Sequence, residues 1–350
     1  MKQDNEKKFS CTDPCKKKIA ILYTGGTIGM EHSENGYVPS PNFLEKALES
    51  IPDLNHPEMP EWSLMEFSPL LDSSDMAVHE WNKIGTAVND LYDLYDGFVI
   101  LHGTDTMAYS ASALSFMLEG LSKPVIFTGS QIPLCQLRSD GRDNIVNSLI
   151  IAASDKVHEV CVYFNGILLR GNRSTKQSSD HLLAFDSPNY PHLAEAGIHL
   201  QYRDNALRPK EDGPLRFRPF SEVPIGVIKV FPGIQFELFE SIMTDKLKGV
   251  VLETFGAGNI PSYGGNLLPI IERAYRSGTI VTVCSQCMQG TVTLGAYATS
   301  KALHDIGAVN GKDMTTEAAL TKLYYLFSLG LSKEEIKEKM AQDLRGELSE

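Results

Sequence analysis

The chain has 350 residues, enough for one large or two medium domains, and its 42% apolar and 22% charged residues are typical of a soluble globular protein. Its formal net charge of −12 argues against nucleic acid and anionic membranes as partners. No window approaches the roughly 18 consecutive apolar residues of a membrane span.

Residues 1–17 are polar and lack the apolar core of a secretory signal, so we expect a disordered tail and a cytoplasmic location. The six cysteines are then expected to stay reduced. Cys284 and Cys287 form a single CxxC pair without a second pair or a histidine cluster, so no metal site is expected.

The first predicted element is the apolar run Ile19 to Tyr23, which is typical of a strand buried on both faces. Helices and strands then alternate up to about residue 200. The predicted helices cover 43–50, 79–95, 107–118 and 145–153, and the further strands cover 62–67, 97–101, 124–128 and 160–164. Residues 31–41 are polar and are expected to form a loop.

The composition changes between residues 201 and 222, where three prolines and no periodicity predict a linker. Alternation resumes with strands at 225–230, 249–253 and 279–283 and helices at 234–243, 266–277, 316–329 and 333–341. The predicted fold class is therefore α/β, with two doubly wound domains. Residues 18–200 form the larger, amino-terminal catalytic domain with a mostly parallel sheet, and residues 223–350 form a smaller parallel-sheet domain.

The first strand breaks into Thr24-Gly25-Gly26-Thr27. Two adjacent glycines can adopt positive φ and allow close approach of other atoms, and ligands of open α/β sheets bind at the carboxyl ends of the strands. Three interpretations are open at this point: Thr27 is a nucleophile on a loop, the glycines form a phosphate-binding turn, or the segment is an ordinary turn.

Two similar clusters follow later strands, at Asp72-Ser73-Ser74-Asp75 and Gly103-Thr104-Asp105-Thr106. If the strands are parallel, all three clusters lie on one edge of the sheet. A threonine hydroxyl needs an adjacent base, and Tyr37 and Lys176 are the available partners. The alternatives are a solvated surface lysine and an Asp105 that only caps the next helix. The combination suggests acyl transfer through a covalent ester.

Two longer motifs are more specific: YTGGTIGM at 23–30 and GFVILHGTDTMAYSASALSFML at 97–118. DSSDM at 72–76, PVIFTGSQIPL at 124–134, RGNRSTK at 170–176 and AALTKL at 318–323 agree with them. Together they closely resemble the L-asparaginases, specifically the cytoplasmic type I bacterial form. The resemblance implies hydrolysis of L-asparagine to L-aspartate and ammonia, without a cofactor, by a homodimer that often pairs into a tetramer.

The resemblance also implies the catalytic roles. Thr27 corresponds to the nucleophile that forms the acyl-enzyme, and Tyr37 to a tyrosine that helps to activate it from a loop that closes as a lid. Thr104 corresponds to the second threonine, which forms a relay with Asp105 and Lys176.

The resemblance implies a binding role for the same edge of the sheet. Ser73 holds the substrate α-carboxylate, and Asp105, beside Thr104, also binds the α-ammonium group. Ser74 stands where the secreted members have a glutamine, so this chain departs from them at the α-group contacts.

Some type I enzymes carry a second, regulatory asparagine site between subunits, and Asn259 and Cys287 look like parts of it. Glu253 stands where an arginine is expected to bind the effector. Because a carboxylate there would repel the carboxylate of the effector, we expect weak or absent allosteric activation.

The alternative functions are a glutaminase-asparaginase or other amidohydrolase, an amidotransferase-like subunit acting on charged tRNA, a nucleotide-binding module and an inactive homologue. The acidic chain argues against tRNA. No Gly-Lys-Ser/Thr follows the glycines and no G-x-G-x-x-G occurs, which argues against a nucleotide. Every matched catalytic residue is present, which argues against an inactive homologue.

Overall fold

The computed structural model describes residues 16–33, 36–39, 42–240, 243, 246–261, 267–296 and 298–349. The expected disordered tail, with Cys11 and Cys15, lies outside the described residues except for Lys16 and Lys17. Among the helices that are described, none has both the length and the apolar character needed to cross a membrane.

The first half of the chain alternates strands and helices. In chain order the elements are β1 (Lys18–Gly25), β2 (Met30–Ser33), β3 (Gly36–Pro39), α1 (Phe43–Glu49), β4 (Glu61–Leu71), α2 (Val78–Leu91), β5 (Gly97–Leu101), α3 (Met107–Met117), β6 (Leu118–Glu119), β7 (Val125–Thr128), α4 (Gly141–Ala152), β8 (Val160–Phe164), β9 (Ile167–Arg170), β10 (Thr175–Lys176), β11 (Phe185–Asp186), β12 (Ala194–Ala196) and β13 (Leu200–Tyr202).

The larger sheet has the strand order β13-β12-β9-β8-β7-β5-β1-β4. Strands β4, β1, β5, β7 and β8 are parallel, whereas β9, β12 and β13 extend the sheet in antiparallel pairs. The mostly parallel sheet is therefore confirmed, and β1 lies between β4 and β5. This order brings together the carboxyl ends of the three strands that precede the polar clusters.

Strand β1 is buried on both faces because helices cover both sides of the sheet. Ala20 and Leu22 pack into a core with α2 and α3, while Ile19, Ile21 and Tyr23 pack into a core with α1 and α4. The alternation follows from the two-residue period of a strand. The apolar run that predicted a strand covered on both faces therefore supplies buried side chains to both cores.

The second half of the chain builds a smaller parallel sheet. Its elements are β14 (Arg216–Phe217), β15 (Ile225–Lys229), β16 (Gly249–Thr254), α5 (Leu267–Arg276), β17 (Ile280–Ser285), α6 (Ala298–Asp305), β18 (Val309–Asn310), α7 (Thr316–Ser328) and α8 (Lys333–Met340). The sheet order is β15-β16-β17-β18, and all its pairs are parallel. Helix α5 packs on one face and α7 and α8 pack on the other, which confirms a second α/β domain.

Two local predictions were wrong. In the segment expected to be a helix at 234–243, the described residues form a short 3-10 helix, Phe236–Phe239, and no α-helix. Ile234, Phe236 and Phe239 still pack against the core around α5, so the apolar pattern reflects burial along an irregular backbone rather than a helix. Residues 31–41 were expected to form a loop, but β2 and β3 pair as an antiparallel hairpin, with Tyr37 opposite His32.

The predicted linker, 201–222, contacts the first domain. Strand β14 pairs with β6, and Phe220 is buried in the core around α2 and α3. The exact boundaries of the two domains stay a prediction.

Candidate active site

Three loops converge at the carboxyl edge of β1, β4 and β5. A Cβ added to Gly26 would lie 2.5 Å from Cα of Gly103, and one added to Gly103 would lie 2.4 Å from Oγ of Ser73. The hydroxyl of Thr106 donates to the carbonyl oxygen of Ser73 at 2.7 Å. Both glycines are therefore required for this close approach, and the three polar clusters form one site.

Thr27 begins a short 3-10 turn directly above the end of β1. Gly25 and Gly26 precede it with φ angles of 131° and 93°, a conformation that side chains with a Cβ rarely adopt. The side chain of Tyr23 supports the turn from below, since a Cβ on Gly29 would lie 2.1 Å from its hydroxyl oxygen. Thr27 itself is partly exposed, while Ile28 and Gly29 are buried. The turn thus presents one threonine at the surface of a rigid edge.

Lys176 contacts the loop that follows β5. Its ammonium nitrogen donates to Oγ1 of Thr104 at 2.8 Å and to Oδ1 of Asp105 at 2.8 Å. The side chain of Lys176 is 19% exposed, whereas that of Asp105 is 67% exposed. Lys176 is therefore not a solvated surface lysine, and Asp105 keeps an open face toward solvent.

Gln131 is a further partner of Thr104. The Thr104 hydroxyl donates to Oε1 of Gln131 at 3.3 Å, and Nε2 of Gln131 donates to the carbonyl oxygen of His181 at 3.2 Å. Gln131 follows β7, and both carboxylate oxygens of Asp140 accept its backbone N–H, at 3.1 and 3.0 Å. Sequence reasoning missed this residue, although the rule that found the other clusters, a polar group directly after a buried strand, applies to it.

A buried hydrogen-bonded chain supports the loop that carries Thr104. Nε1 of Trp81 donates to Oγ of Ser110 at 3.0 Å, and Ser110 contacts Nε2 of His102 at 2.9 Å. Nδ1 of His102 lies 2.7 Å from the carbonyl oxygen of Gly103, which can only accept, so Nδ1 carries the proton and Nε2 accepts from Ser110. Burial lowers the pKa of His102 to about 4, so its ring is neutral at physiological pH.

Comparison with known proteins gives the family. The family model described as "Asparaginase, N-terminal" matches residues 18–208, and the one described as "Glutaminase/Asparaginase C-terminal domain" matches residues 224–340. This chain belongs to the asparaginase family. The resemblance seen in the sequence motifs is thereby confirmed, and the chain is an amidohydrolase.

Individual asparaginases match along almost their whole length. L-asparaginase 1 of Escherichia coli strain K12 is 48% identical over 334 residues, which cover 95% of this chain and 98% of that protein. L-asparaginase I from Vibrio cholerae superposes with a TM-score of 0.88 at 49% identity, covering 95% of this chain and 99% of that one. The thermostable L-asparaginase from Thermococcus kodakarensis superposes with a TM-score of 0.86 at 32% identity, again covering 95% and 99%.

The serines expected to bind the substrate differ in their surroundings. Ser73 is buried beside Gly103, whereas Ser74 is exposed. Oδ1 of Asp72 accepts both the backbone N–H and the hydroxyl of Ser74 at 2.9 Å. The hydroxyl of Ser74 is thus already hydrogen-bonded within its own turn, and Ser73 is the better placed of the two.

Tyr37, which the resemblance predicts to help activate the nucleophile, lies on β3 of the hairpin, which contacts the Thr27–Gly29 turn. The side chain of Tyr37 lies outside what the structure describes. The backbone alone therefore places this residue near the first threonine.

The residues expected at a regulatory site separate into two groups. Glu253 and Cys287 line one cavity of about 180 Å³ together with Thr175, the neighbour of Lys176. Asn259 is not among the described residues that line it, and its backbone pairs with Phe255. Oε1 of Glu253 accepts from the hydroxyl of Thr316 at 2.5 Å.

Proposed function

We propose that this chain hydrolyses L-asparagine to L-aspartate and ammonia through an acyl-enzyme formed on a threonine. The observation that carries the proposal is the position of the Lys176 ammonium group between Thr104 and Asp105, on the loop that touches the turn of Thr27. Membership of the asparaginase family and the names of the related enzymes support the same substrate.

In the first step the hydroxyl oxygen of Thr27 attacks the side-chain carboxamide carbon, and its proton passes to a base that Tyr37 helps to supply. The tetrahedral oxyanion accepts hydrogen bonds from backbone N–H groups at the glycine turn. The C–N bond then breaks, and ammonia leaves after its nitrogen has taken up a proton. The product that remains on the enzyme is a β-aspartyl ester of Thr27.

In the second step water attacks the ester. Thr104, Lys176 and Asp105 form the relay: the proton of the water passes through the Thr104 hydroxyl group to the departing oxygen of Thr27, while the Lys176 ammonium group, oriented by Asp105 as the third group of a triad orients the second, stabilises the charge that develops. The ester bond breaks, Thr27 regains its proton, and aspartate is released. No cofactor takes part in either step.

The α-groups of the substrate fix its reactive amide. Asp105 binds the α-ammonium group with Oδ2, since Oδ1 already accepts from Lys176 at 2.8 Å. Ser73 binds the α-carboxylate with its hydroxyl group. Because a misplacement of about 1 Å can cost on the order of 10²-fold in rate, this arrangement favours asparagine over glutamine.

The decisive experiment measures ammonia release from L-asparagine and L-glutamine by the wild-type protein, with Thr27→Ala and Thr104→Val as variants. We expect asparagine to be strongly preferred and both variants to be inactive. Peptide mass spectrometry after an acid quench identifies the acylated threonine, which we expect to be Thr27. A folded wild-type protein without activity toward either amide would refute the proposal, and equal rates would instead indicate a glutaminase-asparaginase.

We infer further that the enzyme acts in the cytoplasm as a homodimer that pairs into a tetramer, without nucleic acid or membrane partners. The support is the type I character of its motifs and the acidic composition, with a net charge of −12. Light scattering coupled to size-exclusion chromatography measures the assembly. A monomer at micromolar concentration with full activity would contradict this inference.

A further inference from the structure

The segment that carries Lys176 is held from behind by residues that are distant in sequence. It starts with the buried turn Gly171–Arg173, and Arg173 is only 2% exposed. The Arg173 guanidinium donates from Nε to the carbonyl oxygen of Gly346 at 2.7 Å and from Nη2 to Oγ of Ser349 at 3.2 Å. Its Nη1 donates to Oδ2 of Asp313 at 2.8 Å.

Neighbours of Arg173 use the same surface. Nη1 of Arg170 donates to the carbonyl oxygen of Gly346 at 3.3 Å, and Nδ2 of Asn172 donates to the carbonyl oxygen of Arg345 at 3.0 Å. The acceptors are backbone carbonyls, so the contacts depend on the conformation of the 345–346 backbone rather than on its side chains. The turn before Lys176 is therefore docked on one short stretch of main chain.

That stretch is itself tightly fixed. Glu347 is fully buried and accepts the backbone N–H groups of Leu344 at 3.0 Å and Arg345 at 2.6 Å. Its carboxylate also pairs with Nζ of Lys322 on α7 at 2.5 Å. Two buried groups of opposite charge thus tie the segment 343–349 to the second domain.

A second contact acts beside the lysine. The hydroxyl of Thr175 donates to Oε1 of Glu317, in the first turn of α7, at 2.7 Å. Arg173 and Thr175, the residues on either side of Ser174, are thus both anchored to the second domain. A lysine has a long, flexible side chain, so the position of its ammonium group depends on how firmly its backbone is held.

We propose that the segment 343–349 is a positioning element of the active site, which acts through Arg173 to place the ammonium group of Lys176 between Thr104 and Asp105. The inference rests on the catalytic role proposed for Lys176 above. Since the relay spans two contacts of 2.8 Å, a displacement of the ammonium group by more than about 0.5 Å takes one of them beyond hydrogen-bond distance.

Two variants test the element from its two sides. Arg173→Lys keeps the positive charge but removes the planar fork that reaches Gly346, Asp313 and Ser349. Gly346→Ala acts from the other side, because a Cβ there would lie 2.3 Å from Nη1 of Arg170 and because the φ angle of +79° is one that residues with a Cβ rarely adopt. Ser349→Ala, which removes a single hydroxyl, is the mild variant for the case that the other two fail to fold.

The matched control is Ile271→Val, a truncation in the core around α5 on the far side of the second sheet. We expect Arg173→Lys and Gly346→Ala to lower kcat for asparagine by about 10- to 100-fold, with KM within about twofold, because the amide-binding groups are untouched. Ile271→Val should lower the melting temperature and leave kcat unchanged. A kcat of Arg173→Lys equal to that of the wild type, below the melting temperature, would overturn the proposal.

Hydrogen–deuterium exchange provides a readout that does not depend on activity. In the two variants the amides of 174–177 should exchange at least about tenfold faster, whereas Ile271→Val should leave them protected. If the wild-type protein does not hydrolyse asparagine, the proposed function fails and the exchange result still decides the positioning role. Unchanged exchange at 174–177 in every variant overturns that role.

Discussion

The ammonium nitrogen of Lys176 lies 2.8 Å from the hydroxyl oxygen of Thr104, although 72 residues separate them in sequence. Proton transfer by a positioned side chain contributes typically about 10²- to 10⁴-fold to a rate. We therefore expect Lys176→Met to lower kcat for asparagine by about 10³-fold, measured by ammonia release.

The control for this prediction is Lys156→Met. Lys156 pairs with Asp204 at 3.0 Å, but both side chains are exposed and remote from the sheet edge that carries the threonines. This variant should keep the wild-type kcat. Activity of Lys176→Met within tenfold of the wild type would contradict the relay.

Glu317 makes the stability of the protein depend on pH. Burial raises the pKa of its carboxyl group above the ordinary value, and hydrogen bonds from Thr175 and Thr315 only partly offset this. A carboxyl group with a raised folded-state pKa contributes stability that is present below the unfolded-state pKa and is lost as the pH rises through the folded-state value. The wild-type protein therefore bears the cost of a buried charge once the pH rises above the folded-state pKa.

We expect Glu317→Gln to raise the melting temperature at pH 8 and to change it little at pH 4, because glutamine carries no charge and keeps an acceptor for Thr175. Differential scanning calorimetry at the two pH values measures the difference. Glu334→Gln, at an exposed position of α8, should have no effect at either pH. A destabilised Glu317→Gln at pH 8 would show that the charge is needed.

Lys322 and Glu347 form an ion pair in which both side chains are 0% exposed. Removing one partner of such a pair leaves an uncompensated buried charge and costs about 3–5 kcal/mol. We expect Lys322→Met to lower the free energy of unfolding by this amount in urea titrations. Adding Glu347→Leu should recover part of the loss, whereas purely additive effects would contradict a direct coupling.

The charge of Glu253 bears on how the initial rate depends on asparagine concentration. Its carboxylate lies 3.9 Å from Nζ of Lys229 and accepts from Thr316, so it is a negatively charged wall of the cavity that also holds Cys287. An amino acid effector would bring its own carboxylate into repulsion there. Initial rates against asparagine concentration should follow a hyperbola, and strong sigmoidality would contradict the prediction.

Much of the site follows from the sequence because parallel strands end at one edge. The runs at 19–23 and 97–101 are long enough to predict buried strands, and the positions of Thr27, Ser73 and Thr104 follow from their place after strands. Lys176 is different, since its segment is polar and irregular and its contacts depend on tertiary folding. Only the family resemblance could select it among the lysines.

Other parts of the fold gave no local signal. Strands β10 to β13 have two or three residues each, too few for an alternation to be seen. They are fixed by pairing between β10 and β11, between β12 and β13, and between β12 and β9. The apolar residues at 234–239 mimic a helix because Ile234, Phe236 and Phe239 pack against one core, although their backbone forms a short 3-10 helix. Gln131 does carry a local signal, since it comes shortly after β7, but its partner Thr104 is 27 residues away and only the fold shows the contact.

Helix α3, which follows the Thr104 loop directly, packs against α7 of the second domain. One hydrophobic core includes Leu114 of α3, Val251 of β16 and Leu323 of α7, so the two sheets share buried side chains across the domain boundary. The domains consequently cannot melt independently, and the calorimetric and van't Hoff enthalpies of unfolding should agree. Heat inactivation and loss of secondary structure should therefore occur at the same temperature.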